Sequence, residues 1–393
     1  MDTFEKQKNA YIKALCFYLF CLPLNALSIG TFGSLLKLIA FVPVVIAYMR
    51  FRILRRYRQC VIFQLLFVLF ACFSIAWSVN TSLSIDRSIS YVLLYLLIFT
   101  GTFFEVDSYD IKKIKNGFLW STRTTAIVML LFSNFSRGRW FLSSKISEDP
   151  NYLCCYLVAG IIILLQRIQK SEKKRISYIE LILYLVLVVA TGSRGGLLAI
   201  ATGILAYLFS SKKRLPKELA KIFGAIILII AAFAIILYFM PESLRERYSL
   251  NTIINSQGVG RYAIWEEGIR VFKESSFITK FFGAGTGTVT SIIQIFEYGK
   301  MHGYVMHNIF LETLIETGII GLLIYLFAIG SFIRASYKFQ DKFSFAVIIS
   351  MVTLSFSTSL HTFKPYFNIM LFIILLLYSK PNHVDNDPGI VVP

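Results

Sequence analysis

The chain has 393 residues, 56% of them hydrophobic and only 16% charged, with a mean hydropathy of +0.67 and a net charge of +18. Soluble domains carry about 25% charged residues, so a soluble globular protein is excluded. A nucleic-acid-binding role is excluded as well, because the basic excess sits in short loops between apolar runs, where membrane topology places it.

Apolar runs of roughly 18 residues or more recur from end to end, which marks an all-α polytopic membrane protein. Twelve spans are predicted, at 11–29, 32–49, 60–78, 88–104, 116–133, 151–167, 177–192, 195–211, 221–240, 306–333, 343–360 and 366–380. The first is long and lacks a small-x-small cleavage site, so it reads as an uncleaved anchor. The N-terminus, 50–58, 105–115, 167–175, 212–221, 334–342 and the tail hold most of the Lys and Arg. That bias puts these segments and both termini in the cytoplasm. The loops on the other side, 79–87, 134–150, 193–194 and 361–365, hold six basic residues between them. Cys16, Cys21, Cys60, Cys72, Cys154 and Cys155 lie in or at the ends of apolar runs, without metal-ligand spacing, and read as small core residues.

Arg123 sits mid-span in the fifth predicted helix. Counted at about 1.5 Å per residue from opposite faces, it falls at the depth of Glu316, and the two are expected to pair. Arg194 follows, in the Gly-Ser-Arg-Gly-Gly turn at 192–196. The glycines there allow a tight turn and a close-approaching ligand. A guanidinium at the membrane surface suits phosphate or carboxylate recognition, or else anchors to lipid headgroups. Residues 241–305 form a 65-residue polar connection on the outer side, and long connections tend to be functional. Pro241 and Glu242 open a short helix in it. Tyr262, Trp265, Ile269 and Phe272 recur at helical spacing and predict an amphipathic helix that starts at Arg261. Gly-Ala-Gly-Thr-Gly at 283–287 is read as a turn.

Then comes His307-Asn308, at the mouth of the tenth span. An imidazole there serves as a general base near neutral pH or as a helix-end structural group. Asn308 orients it or binds a sugar hydroxyl. Glu312 and Glu316 follow one turn apart inside the span, where carboxylates are costly and functional by default. His302 and His361 are weaker candidates at the same face, and His383 lies in a short tail, 381–393, expected to be disordered. The chain is thus expected to be one membrane domain, 1–393, with an embedded subdomain at 241–305. No phosphate-binding Walker lysine, zinc motif, serine elbow or Asp-x-Asp metal pair occurs, so no cofactor or metal is expected.

Taken together, these motifs resemble the O-antigen ligase and polymerase superfamily. The resemblance rests on Gly192-Ser193-Arg194-Gly195 between two spans and on a long outer loop with Gly260-Arg261-x-x-x-Trp265. It continues with His307-Asn308 and, nine residues on, Gly318-x-x-Gly321. Asp149-Pro150-Asn151 before the sixth span is similar to an element of the polymerases. The motifs cover about residues 145–325, while hydropathy and loop placement extend the likeness over the whole chain.

The resemblance implies an inverting, metal-independent membrane glycosyltransferase of the GT-C type. Its donor would be a polyprenyl-diphosphate-linked oligosaccharide, its acceptor a glycan hydroxyl, and its site the outer face of the bacterial plasma membrane. Arg194 and Arg261 match family arginines that hold the diphosphate, and His307 matches the histidine that activates the acceptor. Asn308 and Asn151 are the further substrate-binding candidates, and a chain-length regulator is a possible partner in the polymerase case. Asp-Pro-Asn tips the reading to a polymerase of O-antigen or capsule repeats; the Gly-x-x-Gly spacing keeps a ligase acting on lipid A core as the alternative. A transporter of lipid-linked glycan is the competing class, against which stand the missing internal repeat and the single large one-sided loop.

Overall fold

The computed structural model describes residues 3–26, 35–49, 59–136, 139–142, 150–210, 224, 227, 230–231, 233–249, 251–252, 261–297 and 300–379. The basic loops at 50–58 and 212–221, nearly all of the loop end of the ninth predicted span, Gly260, Asp149 and the tail with His383 lie outside them.

The described chain is a helical membrane protein. In order it forms α1 (Thr3–Phe20), α2 (Leu35–Tyr48), α3 (Gln59–Phe73), α4 (Thr81–Phe99), α5 (Ser108–Phe132), α6 (Pro150–Gln169), α7 (Lys174–Ala190) and α8 (Arg194–Phe209). After these come the short α9 (Glu242–Arg247), then α10 (Arg261–Glu274), α11 (Phe277–Phe282), α12 (Val289–Ile292), α13 (Ile309–Lys338), α14 (Lys342–Ser355) and α15 (Lys364–Leu377). Among the described residues, four helical stretches are long and apolar enough to cross a membrane: Gln59–Trp77, Thr81–Thr102, Pro150–Gln169 and Ile309–Lys338. Helices α2, α8, α14 and α15 are shorter apolar ones.

Two short antiparallel ribbons were not expected from the apolar pattern. They are β1–β2 (Ser133–Ser136 with Arg139–Leu142) and β3–β4 (Gln294–Glu297 with Lys300–Gly303). Four-residue strands leave too short a signal for period-two alternation to be read. Several helices also begin before their apolar runs. Helix α4 starts at Thr81, capped by the Asn80 side chain, so Arg87 belongs to the helix and not to the loop that hydropathy assigned it. Asp107 and Asp110 form a reciprocal capping box at the start of α5.

Helices α6 and α15 are buried on nearly all sides and form the centre of the bundle. Small residues set the packing around them. A Cβ on Gly203 of α8 would meet the Ser350 hydroxyl of α14, and Ser350 donates to the Ala199 carbonyl at 2.7 Å. Such small polar contacts let helices approach closely in an apolar surround.

The expected Arg123–Glu316 pair does not form. Arg123 makes a two-point ion pair with Glu180 of α7, at 2.7 and 3.2 Å, and lies over the Trp120 ring. Depth along a membrane is one coordinate of three, and it is α7 that presents a carboxylate to that side of α5.

Candidate active site at the start of the long helix

The helix that begins at residue 309 is broken once. Gly318 adopts φ +66°, a conformation open to glycine, and the α-helical hydrogen bonds across it are lost. The carbonyls freed by the break find donors in the glycine-rich segment 283–287. Ala284 N–H donates to the Ile315 carbonyl at 3.1 Å, and Gly285 N–H to the Glu316 carbonyl at 2.9 Å. The segment is therefore more than a turn: it docks into the break. The Gly285 and Gly287 positions also have positive φ, and Thr286 is fully buried, its amide donating to Ser74 and its carbonyl accepting from Ser84.

Glu316 is held by this same segment. Its carboxylate accepts from the amides of Val289, at 3.3 Å, and Gly287. Glu312, one turn earlier and also fully buried, accepts from the Ser359 hydroxyl and faces the Met306 amide. Arg87 of α4 stands beside both carboxylates, its Nη1 3.6 Å from Glu312 Oε1. His361 completes the cluster, with Nε2 3.6 Å from that same oxygen and Nδ1 2.8 Å from the Tyr91 hydroxyl. Ligand atoms of Glu312, Glu316 and His361 lie within 4.8 Å of one another, close enough to share a metal ion. Arg87 places one cation beside the two carboxylates.

His307 lies just ahead of this cluster, half-buried, in the left-handed region at φ +49°. Non-glycine residues are uncommon there, and such outliers gather at functional sites. Both neighbours are fixed. Met306 is fully buried, and its carbonyl accepts from the Trp265 indole at 2.7 Å. Asn308 caps the long helix, its Oδ1 accepting from the amides of Phe310 and Leu311. Asn308 is thus a helix cap, with its side-chain oxygen committed to the backbone.

Arg261 opens α10 one turn before Trp265, so the helix that carries Arg261 is also the one pinned to the His307 segment. The packed face of that helix differs from the expected one. Ile264 and Gly268 are buried and Trp265 is half-buried, while Tyr262 and Ile269 are exposed. The helical period was right; its phase is set by Met306, whose methyl would be 2.4 Å from a Cβ on Gly268.

Arg194 is the first residue of α8, after a turn in which Gly192 has φ +63° and Ser193 caps the helix. Asn151 sits in the first turn of α6, and its side-chain oxygen accepts from Ser193 at 2.8 Å. The sequence placed Asn151 and Arg194 in the site separately; the structure joins them. Two arginines that sequence reasoning missed close the turn. Arg247 Nε donates to the Gly192 carbonyl at 2.9 Å, and Arg139 Nε to the Thr191 carbonyl at 3.0 Å. Tyr248 donates to the Val189 carbonyl at 3.1 Å. Burial pushes the pKa of that phenol up, against the pull of Arg247, Arg139 and Arg194 beside it. Three guanidinium groups around one glycine turn make a strongly positive, anion-seeking surface.

The connection between α14 and α15 links the two halves. A Cβ on Gly195 would meet the Ser357 side chain. Two residues on, the Ser359 carbonyl accepts from Tyr152, the neighbour of Asn151, at 2.7 Å. The Ser359 hydroxyl donates to Glu312. The arginine-rich turn and the start of α13 are thereby fastened to one short segment. Of the other histidines, His361 belongs to the buried cluster, and His302 is exposed on β4.

No curated protein matches the chain. Residues 179–326, however, match the family model described as O-Antigen ligase. The match runs from α7 past the break in α13, and so contains Arg194, Arg261, His307 and both buried glutamates. That segment is therefore similar to the O-antigen ligase family, in agreement with the motifs that resemble the O-antigen ligase and polymerase superfamily.

Proposed function

We propose that the chain is a membrane glycosyltransferase that moves an oligosaccharide from a polyprenyl diphosphate to an acceptor sugar hydroxyl. The oxygen of that hydroxyl attacks the anomeric carbon of the donor, from the face opposite the leaving group. His307 takes the hydroxyl proton. The bond between the anomeric carbon and the diphosphate oxygen breaks with inversion. The polyprenyl diphosphate leaves as an anion, held by Arg194 and Arg261, whose fixed charges do the work a metal does elsewhere. Arg139 and Arg247 hold the Arg194 turn in shape and add to its field. Asn151 orients that turn through Ser193.

The observation that carries this reading is the strained His307, fastened through Glu312 and Ser359 to the same segment as the arginine-rich turn. A base for the acceptor and cations for the leaving group are the two things such a transfer needs. In this reading the chain spans the bacterial plasma membrane twelve times, with both termini in the cytoplasm. Residues 241–305 lie on the outer face and complete the site there.

The acceptor decides between two activities. Asp149-Pro150-Asn151 supports a polymerase, which transfers the growing glycan to a second lipid-linked repeat of O-antigen or capsule. The match to a model described as O-Antigen ligase supports transfer to lipid A core instead. Reconstitution in proteoliposomes separates them. Lipid-linked oligosaccharide extracted from the source cells, supplied alone, gives longer lipid-linked glycan with a polymerase. Product only when lipid A core is added means a ligase. Movement of the lipid across the bilayer without any transfer would overturn the glycosyltransferase reading.

A further inference from the structure

We infer that Trp265 and Glu312 are positioning residues for His307, acting through the Met306 peptide group. The inference rests on His307 being the base proposed above.

The Met306 peptide is gripped on every side. Its carbonyl accepts from the Trp265 indole at 2.7 Å. Its amide faces the Glu312 carboxylate. Its side chain is fully buried in a small apolar cluster with Ile264, Val289, Ile293 and Ile315, and packs on Gly268 of the same helix as Trp265. Asn308, on the other side of His307, is locked as the cap of α13. His307 is therefore a single residue strung between two fixed points, and φ +49° is the conformation that spans them. The grip supplies what keeps a histidine in a region its side chain disfavours.

Glu312 is itself seated before it can seat Met306. It takes the Ser359 hydroxyl, stands 3.6 Å from the Arg87 guanidinium, and faces His361 Nε2 at the same distance. These partners come from α4 and from the α14–α15 connection, so the aim of His307 is tied to the packing of the whole bundle. Both contacts to Met306 end on backbone atoms. Their job is thus geometric: they set where the imidazole points.

The test uses the full-length protein in proteoliposomes with lipid-linked oligosaccharide extracted from the source cells, each rate divided by the amount of folded protein. His307→Ala is the control and gives no product. Trp265→Phe removes the indole donor and keeps an aromatic ring; Glu312→Ala removes the acceptor. Both are expected to lower kcat about tenfold or more, the scale on which a small misplacement of a catalytic group acts, with KM within about twofold of wild type. Glu312→Gln keeps an oxygen for the Met306 amide and is expected to recover most of the lost kcat. If Glu312→Ala fails to fold, Trp265→Phe and Glu312→Gln carry the test. Wild-type kcat in Trp265→Phe, or a change in KM alone, overturns the inference while an inactive His307→Ala keeps the base in place. Equal loss in Glu312→Gln and Glu312→Ala also overturns it, because that makes Glu312 a charge partner of Arg87. An active His307→Ala overturns the base itself.

Discussion

His307 is held at φ +49°, a backbone state that costs a non-glycine residue on the order of 1–3 kcal/mol. Such a conformation persists when its surroundings over-determine it, as the Trp265 and Asn308 contacts do here. The leaving group calls for cations, and Arg194 begins α8 beside two further guanidinium groups, those of Arg139 and Arg247. Removing an oxyanion-stabilising donor commonly costs about 10²–10³ in turnover. Arg194→Ala and Arg261→Ala are therefore expected to lower kcat on that scale and to weaken donor binding, as measured by initial rates at varied lipid-linked glycan. Arg247→Lys, which keeps the charge and loses the planar fork that donates to Gly192, is expected to give a smaller loss. Arg194, Arg261 and His307 were legible in the sequence because each sits in a short local motif. Arg87, Arg139 and Arg247 were not, because their partners lie far away in the chain: Glu312, Thr191 and Gly192.

At the scale of elements, the junction between 283–287 and the break at Gly318 holds the site together. A Cβ at Gly318 would fall 2.4 Å from the backbone of Phe281, and one at Gly283 would fall 2.3 Å from the Glu316 carbonyl. Gly318→Ala pays the left-handed penalty of roughly 1–2 kcal/mol and must also displace backbone. It is expected to lower the unfolding free energy in detergent by at least that amount, whereas Gly224→Ala, in open space, is expected to change little. Glycine content flagged both segments in the sequence, and small residues spaced like Gly318 and Gly321 commonly serve close helix packing. Only Gly321 fits it, sitting against Thr317 and the Phe70 ring; Gly318 is the break itself. The Arg123 pairing shows the same limit. Matching depth suggested Glu316, but the partner is Glu180. Arg123→Ala and Glu180→Ala are expected to be coupled by about 1 kcal/mol in a double-mutant cycle on detergent unfolding; strict additivity would contradict the pair.

For the whole molecule, composition and hydropathy were enough to give a helical membrane protein, since an 18-residue apolar run has few alternatives. They did not give the small ribbons at 133–142 and 294–303, nor the phase of α10, which is set by contact with Met306. The proposed sidedness is tested by labelling. A cysteine at the exposed His302 is expected to react with a membrane-impermeant maleimide in intact cells, and one at the exposed Lys170 only after permeabilisation. EDTA is expected to leave transfer unchanged. Loss of activity in EDTA, restored by added metal, would instead assign a metal to Glu312, Glu316 and His361. The most direct measurement compares wild type with His307→Ala in proteoliposomes supplied with the extracted lipid-linked oligosaccharide, with and without lipid A core. Glycan transfer by the wild type and none by His307→Ala, with donor still bound, is the expected result. Equal product from both proteins would contradict His307 as the base, and no transfer to either acceptor by the wild type would contradict the glycosyltransferase itself.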